Sequence, residues 1–288
     1  MVAVRKSLSF ISWNLTRAWA SVFLLLLGIF AGIAGLLDAL FPDIFEAQGW
    51  AYLTFIFGIS ALGSSVRVWP RSTYQKHFPV PGTTVTLVVG DLFEQEGHLV
   101  IGMNDIFDTE IPAIIKPGSI QGQLLLREYQ NDLVRLNKDL EKALQGMPVL
   151  TIEPRQGKPV GKRRRYEMGT VAVIGDSGRR YFCSAYARMD NSGVVQASVE
   201  GLWLSLSKLW IVVRDVAQQD IVSIPVVGSG LARISGRLSH VDLVRLIILS
   251  FLAASRERIV TKELRIILYP ADLTDVEFRS ITDVLRGH

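Results

Sequence analysis

A stretch of 20 residues, Ala18–Leu37 (AWASVFLLLLGIFAGIAGLL), contains no charged side chain. As a helix rising 1.5 Å per residue it spans about 30 Å, the thickness of a bilayer's hydrocarbon core. A second uncharged stretch of 18 residues, Gly49–Val66, follows; it is more polar and carries Thr54, Ser60, Ser64 and Ser65. The pair reads as two transmembrane helices. A cleavable signal peptide fits poorly: the first stretch exceeds a signal's apolar core, no small-residue cleavage site follows it, and the second stretch would remain. The alternative is a helical hairpin buried in a soluble protein.

Charge supplies an orientation. Arg5, Lys6 and Arg17 precede the first span, and Arg67, Arg71 and Lys76 follow the second. The connection DALFPDIFEAQ holds three acids and no base. Basic flanks stay in the cytoplasm, so both termini are expected on the cytoplasmic side of the membrane, with the connection outside. Residues 1–80 carry six Lys/Arg and three acids, leaving 25 basic and 24 acidic residues beyond. The basic pI therefore comes mainly from the membrane flanks, and a nucleic-acid partner, which needs a basic soluble domain, is not expected. Gly28, Gly32 and Gly35 in the first span, and Gly58, Ala61 and Ser65 in the second, form small-residue seams that pack either the hairpin or neighbouring copies. Neither span contains an Asp, Glu, Lys, Arg or His, so a proton relay has no support.

Residues 1–78 thus form a membrane module, and the pattern changes over 79–288. TTVTLVVGD (Thr83–Asp91) and GHLVIGMND (Gly97–Asp105) read as strands. Leucines at helical spacing run through Ser119–Leu144, giving one helix. Strand-like MPVLTIE and YEMGTVAVIGD flank the basic loop GKPVGKRRR, and RRYFCSAYARM is a further strand. The helix Ser198–Gln218, the strand DIVSIPVVG, a helix capped by Ser239 with Asp242 three residues on, the strand ELRIILYP and a last helix complete the order. Leu246–Ala254 is too short for a third span. Strands alternating with helices give an α/β sandwich with a mixed, partly parallel sheet.

In such sheets ligands bind at the carboxyl ends of the strands, where backbone N–H groups favour anions. Three stretches fall there: Gly90-Asp91-Leu92, Asn104–Gln123 and Val227–Gly236. GSGLAR is no dinucleotide fingerprint, since Arg233 occupies the last glycine position, and the chain has no Walker loop. Together and in this order the stretches resemble the macro domain, an α/β/α module that binds ADP-ribose. Gly90-Asp91-Leu92 matches the family's Gly-Asp-Ile-like turn, whose carboxylate holds the adenine amino group. IGMN keeps the ribose-contacting Asn104. KPGSIQGQLL keeps Gly118 and Gly122 of the helix-opening loop, and PVVGSGLARIS matches the second phosphate loop. The implied ligand site comprises Asp91, Leu92, Met103 and Asn104; Gly118, Ser119, Ile120, Gln121 and Gly122; and Val227, Gly228, Ser229, Gly230, Leu231, Ala232 and Arg233. Arg233 adds a charge-assisted contact or is a plain surface arginine.

Ile101 stands where the family's hydrolases place an asparagine, and the glycine run is thinned to Pro117-Gly118-Ser119. Binding without catalysis is therefore expected, with a membrane-tethered ADP-ribosyl hydrolase as the alternative. Two spans ahead of such a domain are similar to the membrane effectors of type II Thoeris antiphage systems. That resemblance implies an ADP-ribose-derived signal, histidine–ADP-ribose, made by a TIR-domain partner. It also implies homo-oligomerisation and disruption of the lipid bilayer. No cofactor, metal or catalytic residue is expected. His77, His98, His240 and His288 lack metal-ligand spacing, and Cys183 reads as a buried small hydrophobe. The basic loop reads as a solvated hairpin tip, with contact to anionic lipid or to protein as alternatives.

Overall fold

A computed structural model describes residues 2–40, 49–68, 73–190, 193–228, 238–270 and 275–287. The chain divides into two compact units, Met1–Arg71 and Ser72–His288.

The first unit is a hairpin of α1 (Val2–Leu40) and α2 (Gly49–Val68). Trp19 of α1 stacks on Phe23, which meets Phe57 of α2 edge-on at 4.9 Å, and the Trp19 indole donates to Ser65 Oγ at 3.1 Å. Leu25, Leu36, Phe55 and Leu62 do not pack into the hairpin's own interface and are exposed. Within α1, Trp19–Leu40 is 22 residues long and apolar enough to cross a membrane. The apolar part of α2 is the shorter Trp50–Ser65, about 24 Å at 1.5 Å per residue. By length, therefore, one helix qualifies as a span among the described residues, not the two read from sequence. Ser60, Ser64 and Ser65 sit inside α2, and Ser64 and Ser65 return their hydroxyls to backbone carbonyls one turn back. The seam glycines do not close the hairpin: a Cβ at Gly28, Gly32, Gly35 or Gly58 would meet nothing within 4 Å, whereas one at Gly63 would touch Leu26 at 3.0 Å.

The second unit is a three-layer α/β/α sandwich. Its strands are β1 (Thr73–Phe78), β2 (Thr83–Val89), β3 (His98–Asn104), β4 (Val149–Ile152), β5 (Arg164–Tyr166), β6 (Val171–Gly175), β7 (Arg180–Met189), β8 (Val195–Gln196), β9 (Val222–Pro225) and β10 (Glu263–Leu268). The main sheet runs β1-β2-β10-β9-β3-β7-β6, with β8 on β7, while β4 and β5 pair separately. β2, β10, β9, β3 and β7 are mutually parallel, and antiparallel pairings flank them. All five parallel strands therefore end on one edge of the sheet. β1 belongs to this sheet, although Thr73–Phe78 was read with the membrane module; its alternating exposure is that of an edge strand, and the period is masked by the basic and aromatic side chains of TYQKHF.

Period-two alternation builds both faces. In β3, Val100 packs towards α5 (Val199–Val216) and α6 (His240–Glu257), while Leu99, Ile101 and Met103 pack towards α3 (Ile120–Gln123) and α4 (Leu133–Ala143). Ile101 and Cys183 are fully buried, and burial pushes the Cys183 thiol up to about 12, which makes it a core residue. On the first face the Trp210 indole donates to Ser250 Oγ at 3.0 Å and meets Phe251 edge-on. Both bonds of the Ser239/Asp242 capping box are formed at the start of α6, whose stripe from Leu243 to Leu252 is buried in the sandwich. The last helix is α7 (Asp275–Gly287).

Ser119–Leu144 is not one helix. A wide π turn, Leu124–Glu128, follows α3; Gln130 and Asn131 then take positive φ of 52° and 64°, and Asp132 caps α4 by accepting from Arg135 N–H. The leucine spacing carries through the break because Leu124, Leu125, Leu136 and Leu140 all face the core. Asn131-Asp132, residues that favour turns and caps, mark where the helix stops and restarts.

Candidate functional site

A cleft of about 720 Å³ opens at the carboxyl edge of the parallel strands. Of the residues read from sequence, Asp91, Leu92, Met103, Asn104, Gly118, Ser119, Ile120, Gln121, Val227 and Gly228 line it. Gly122 does not line it, and Ser229, Gly230, Leu231, Ala232 and Arg233 lie outside the described residues.

Asp91 lies two residues past the end of β2 and caps a single 3₁₀ turn, its Oδ1 accepting from Phe93 N–H at 2.8 Å. Its Oδ2 accepts from the Arg127 guanidinium at 2.5 Å, and that guanidinium lies over the Phe93 ring, 5.1 Å from its centroid. The π turn that interrupts the helix is what carries Arg127. Asp91 is thus a half-buried, oriented carboxylate with its charge already balanced.

Asn104 closes β3 at a register shift against β7 and is almost fully buried. Its Oδ1 accepts from Ile106 N–H at 3.0 Å and Asp108 N–H at 3.2 Å, while its Nδ2 is buried without a hydrogen-bond partner. An unsatisfied buried donor costs about 1–3 kcal/mol, which the fold carries at a residue lining the cleft.

Gly122 holds the next loop from behind. A Cβ there would sit 2.4 Å from Lys116 O and 2.8 Å from Pro117 O, so only glycine permits this backbone crossing. Ser119 caps α3, its Oγ accepting from Gly122 N–H at 3.1 Å. Gly118, by contrast, has open space where its Cβ would stand. Gly122→Ala is expected to cost about 1–3 kcal/mol of stability by overpacking and to weaken ADP-ribose binding. Gly118→Ala should leave stability unchanged. Thermal unfolding of both variants checks this.

The second phosphate-loop candidate starts with Val227, which is buried, and Gly228, whose φ of +89° requires glycine. Sequence reading missed the cleft's far wall. Gly102 permits a close approach, since a Cβ there would lie 2.6 Å from Tyr186 Cε1. Burial pushes the Tyr186 phenol up to about 12, so it stays protonated. Phe93, Lys116 and Tyr269 also contribute. Of IGMN, Met103 and Asn104 were in the site read from sequence; Gly102 beside them was the available signal.

A sequence model of the macro domain of the Thoeris protein ThsA matches residues 85–269. The chain belongs to this family. It is 24% identical over 209 residues to the Thoeris protein ThsA of Bacillus amyloliquefaciens (strain Y2), covering 70% of this chain and 68% of that protein. Its fold is similar to that of the Oceanobacillus iheyensis macrodomain with ADP, at a TM-score of 0.50 and 12% identity, covering 75% of this chain and 96% of the other. A substituted form of that macrodomain gives the same TM-score and identity, with 76% and 96% covered. Macro domains bind ADP-ribose derivatives, and some hydrolyse them. In this macro domain Asp91 is the only carboxylate among the described lining residues, and no histidine or cysteine lines the cleft among them.

The basic loop differs from its sequence reading as a solvated tip. Lys158 is buried and donates to both carboxylate oxygens of Asp108 at 2.9 and 3.0 Å, and Lys162 N–H donates to Asp108 Oδ1 at 2.8 Å. Arg165, also buried, bridges Asp105 at 2.5 Å and Glu153 at 2.8 Å. Burial lowers the Lys162 ammonium to about 8. These cations brace the segment that follows Asn104: Asp108 carries one of the N–H groups that Asn104 accepts, and its carbonyl accepts from Gln121 Nε2.

Proposed function

We propose that the chain is a membrane-bound sensor and effector of antiphage defence. Its macro domain binds an ADP-ribose-derived signal, histidine–ADP-ribose by family resemblance, supplied by a TIR-domain protein. Binding drives self-association of the chain and disruption of the inner membrane. The observation that carries the binding step is the buried, unpartnered Nδ2 of Asn104 at the cleft, a donor that a ligand hydroxyl can satisfy. Lys116 and the backbone of Gly118 and Gly228 offer an anion-compatible rim for a diphosphate.

The cleft's chemistry supports binding over hydrolysis. Its one described carboxylate is engaged by Arg127, and Ile101 points into the core instead of the cleft. Turnover needs a positioned base or an activated water, and Asp91 is already committed. For the membrane step, the exposed apolar surface of Trp19–Leu40 fits lipid, and the basic flanks of the hairpin favour two crossings with both termini cytoplasmic. A second crossing requires local thinning of the bilayer around the shorter apolar part of α2. The open faces at Gly28, Gly32, Gly35 and Gly58 are available to neighbouring copies. A ligand shifts an assembly equilibrium only if the assembled form binds it more tightly, so ligand-dependent size of the full chain in detergent is the test.

A further inference from the structure

The β4–β5 hairpin stands apart from the main sheet, and every residue of β4 is exposed. Leu150 is 58% and Ile152 63% exposed, and Met147, Val149 and Val160 add further exposed apolar surface. Isolated exposed apolar residues are ordinary, but a cluster on one small hairpin marks a surface that meets something. Residues 147–165 also hold six basic side chains and one acidic one. Lys158 and Arg165 are used internally, by Asp108 and by Asp105 with Glu153. Arg155, Arg163 and Arg164 are exposed and form no ion pair among the described residues. Cross-strand register sets Arg164 directly beside Ile152.

Apolar side chains ringed by unpaired cations match an anionic bilayer interface, where the apolar groups enter the headgroup region and each cation meets lipid phosphate. A second copy docked on the same face would bring two sets of arginines together, and no acidic patch on the hairpin answers them. The buried Lys158–Asp108 and Arg165–Asp105 pairs hold the surface rigid, so little ordering is needed on contact.

We propose that the exposed face of the β4–β5 hairpin docks on the anionic surface of the bilayer that holds α1. The proposal rests on the membrane reading of α1 and is independent of what the cleft binds. The test uses the full chain with Ile152→Cys carrying the environment-sensitive dye NBD; the native Cys183 is fully buried, which directs the label to the new site. The protein is placed, one copy per disc, in nanodiscs of phosphatidylcholine with or without phosphatidylglycerol. The dye should shift to shorter wavelength in the anionic discs only, lose the shift at high salt, and lose it when Arg155, Arg163 and Arg164 are all changed to Gln. A label at exposed Val134→Cys on α4 should stay aqueous in both discs. An aqueous Ile152 label in anionic discs overturns the proposal, as does a shift that is equal in neutral discs and survives the triple substitution. Failure of the chain to enter discs at all overturns the membrane reading and this proposal with it.

Discussion

Lys158→Met is expected to lower the unfolding free energy by about 3–5 kcal/mol, because it leaves the Asp108 carboxylate buried without its ammonium partner, held by the Lys162 N–H alone. Asp108 is fully buried and Lys158 nearly so, so water cannot step in for the lost ammonium. Methionine keeps the length and apolar stem of lysine, which separates the charge from packing. The companion double variant, Lys158→Met with Asp108→Asn, should recover much of the loss, since removing both charges removes the desolvation penalty. A double-mutant cycle by urea unfolding in detergent reads the coupling. A loss below about 1 kcal/mol for the single variant, the range of an exposed pair, would show that the basic loop is the solvated tip its sequence resembles. The same variant should weaken ADP-ribose binding, because Asp108 N–H is one of the two donors that orient Asn104.

Asn104→Ala is expected to weaken ADP-ribose binding about tenfold to a hundredfold, as loss of a buried hydrogen bond implies. Its effect on the free protein is mixed. Two accepted bonds, from Ile106 and Asp108, are lost, while an unsatisfied donor is removed. Stability should therefore fall as well, since the buried Ile106 and Asp108 N–H groups lose their acceptor. Calorimetric titration with ADP-ribose, at a temperature where both forms are folded, separates the two. Unchanged affinity would detach the orphan donor from ligand recognition.

The layered architecture was legible because period-two and 3.6-residue patterns dominate β2, β3, α5 and α6, and core packing enforces both. The failures share a cause, which is that local pattern does not report distant partners. Lys158 and Arg165 look solvated in sequence because Asp108 and Asp105 lie far away along the chain. The break at Gln130-Asn131 hid inside an unbroken leucine spacing. TYQKHF looked like a membrane flank until β2 paired with it. At the cleft, loop motifs located Asp91, Asn104 and Gly228, which are fixed by backbone geometry that a few residue types serve. Arg127 and Tyr186 come from a π turn and a neighbouring strand, and neither carries a local signature.

The proposed function couples occupation of the cleft to assembly. Light scattering on size-separated full chain in detergent, with and without histidine–ADP-ribose, measures it most directly, and Asn104→Ala serves as the control. At a ligand concentration that fills the native cleft but leaves the weakened Asn104→Ala cleft largely empty, a larger species is expected for the native chain and none for the variant. Saturated binding with an unchanged mass would contradict it.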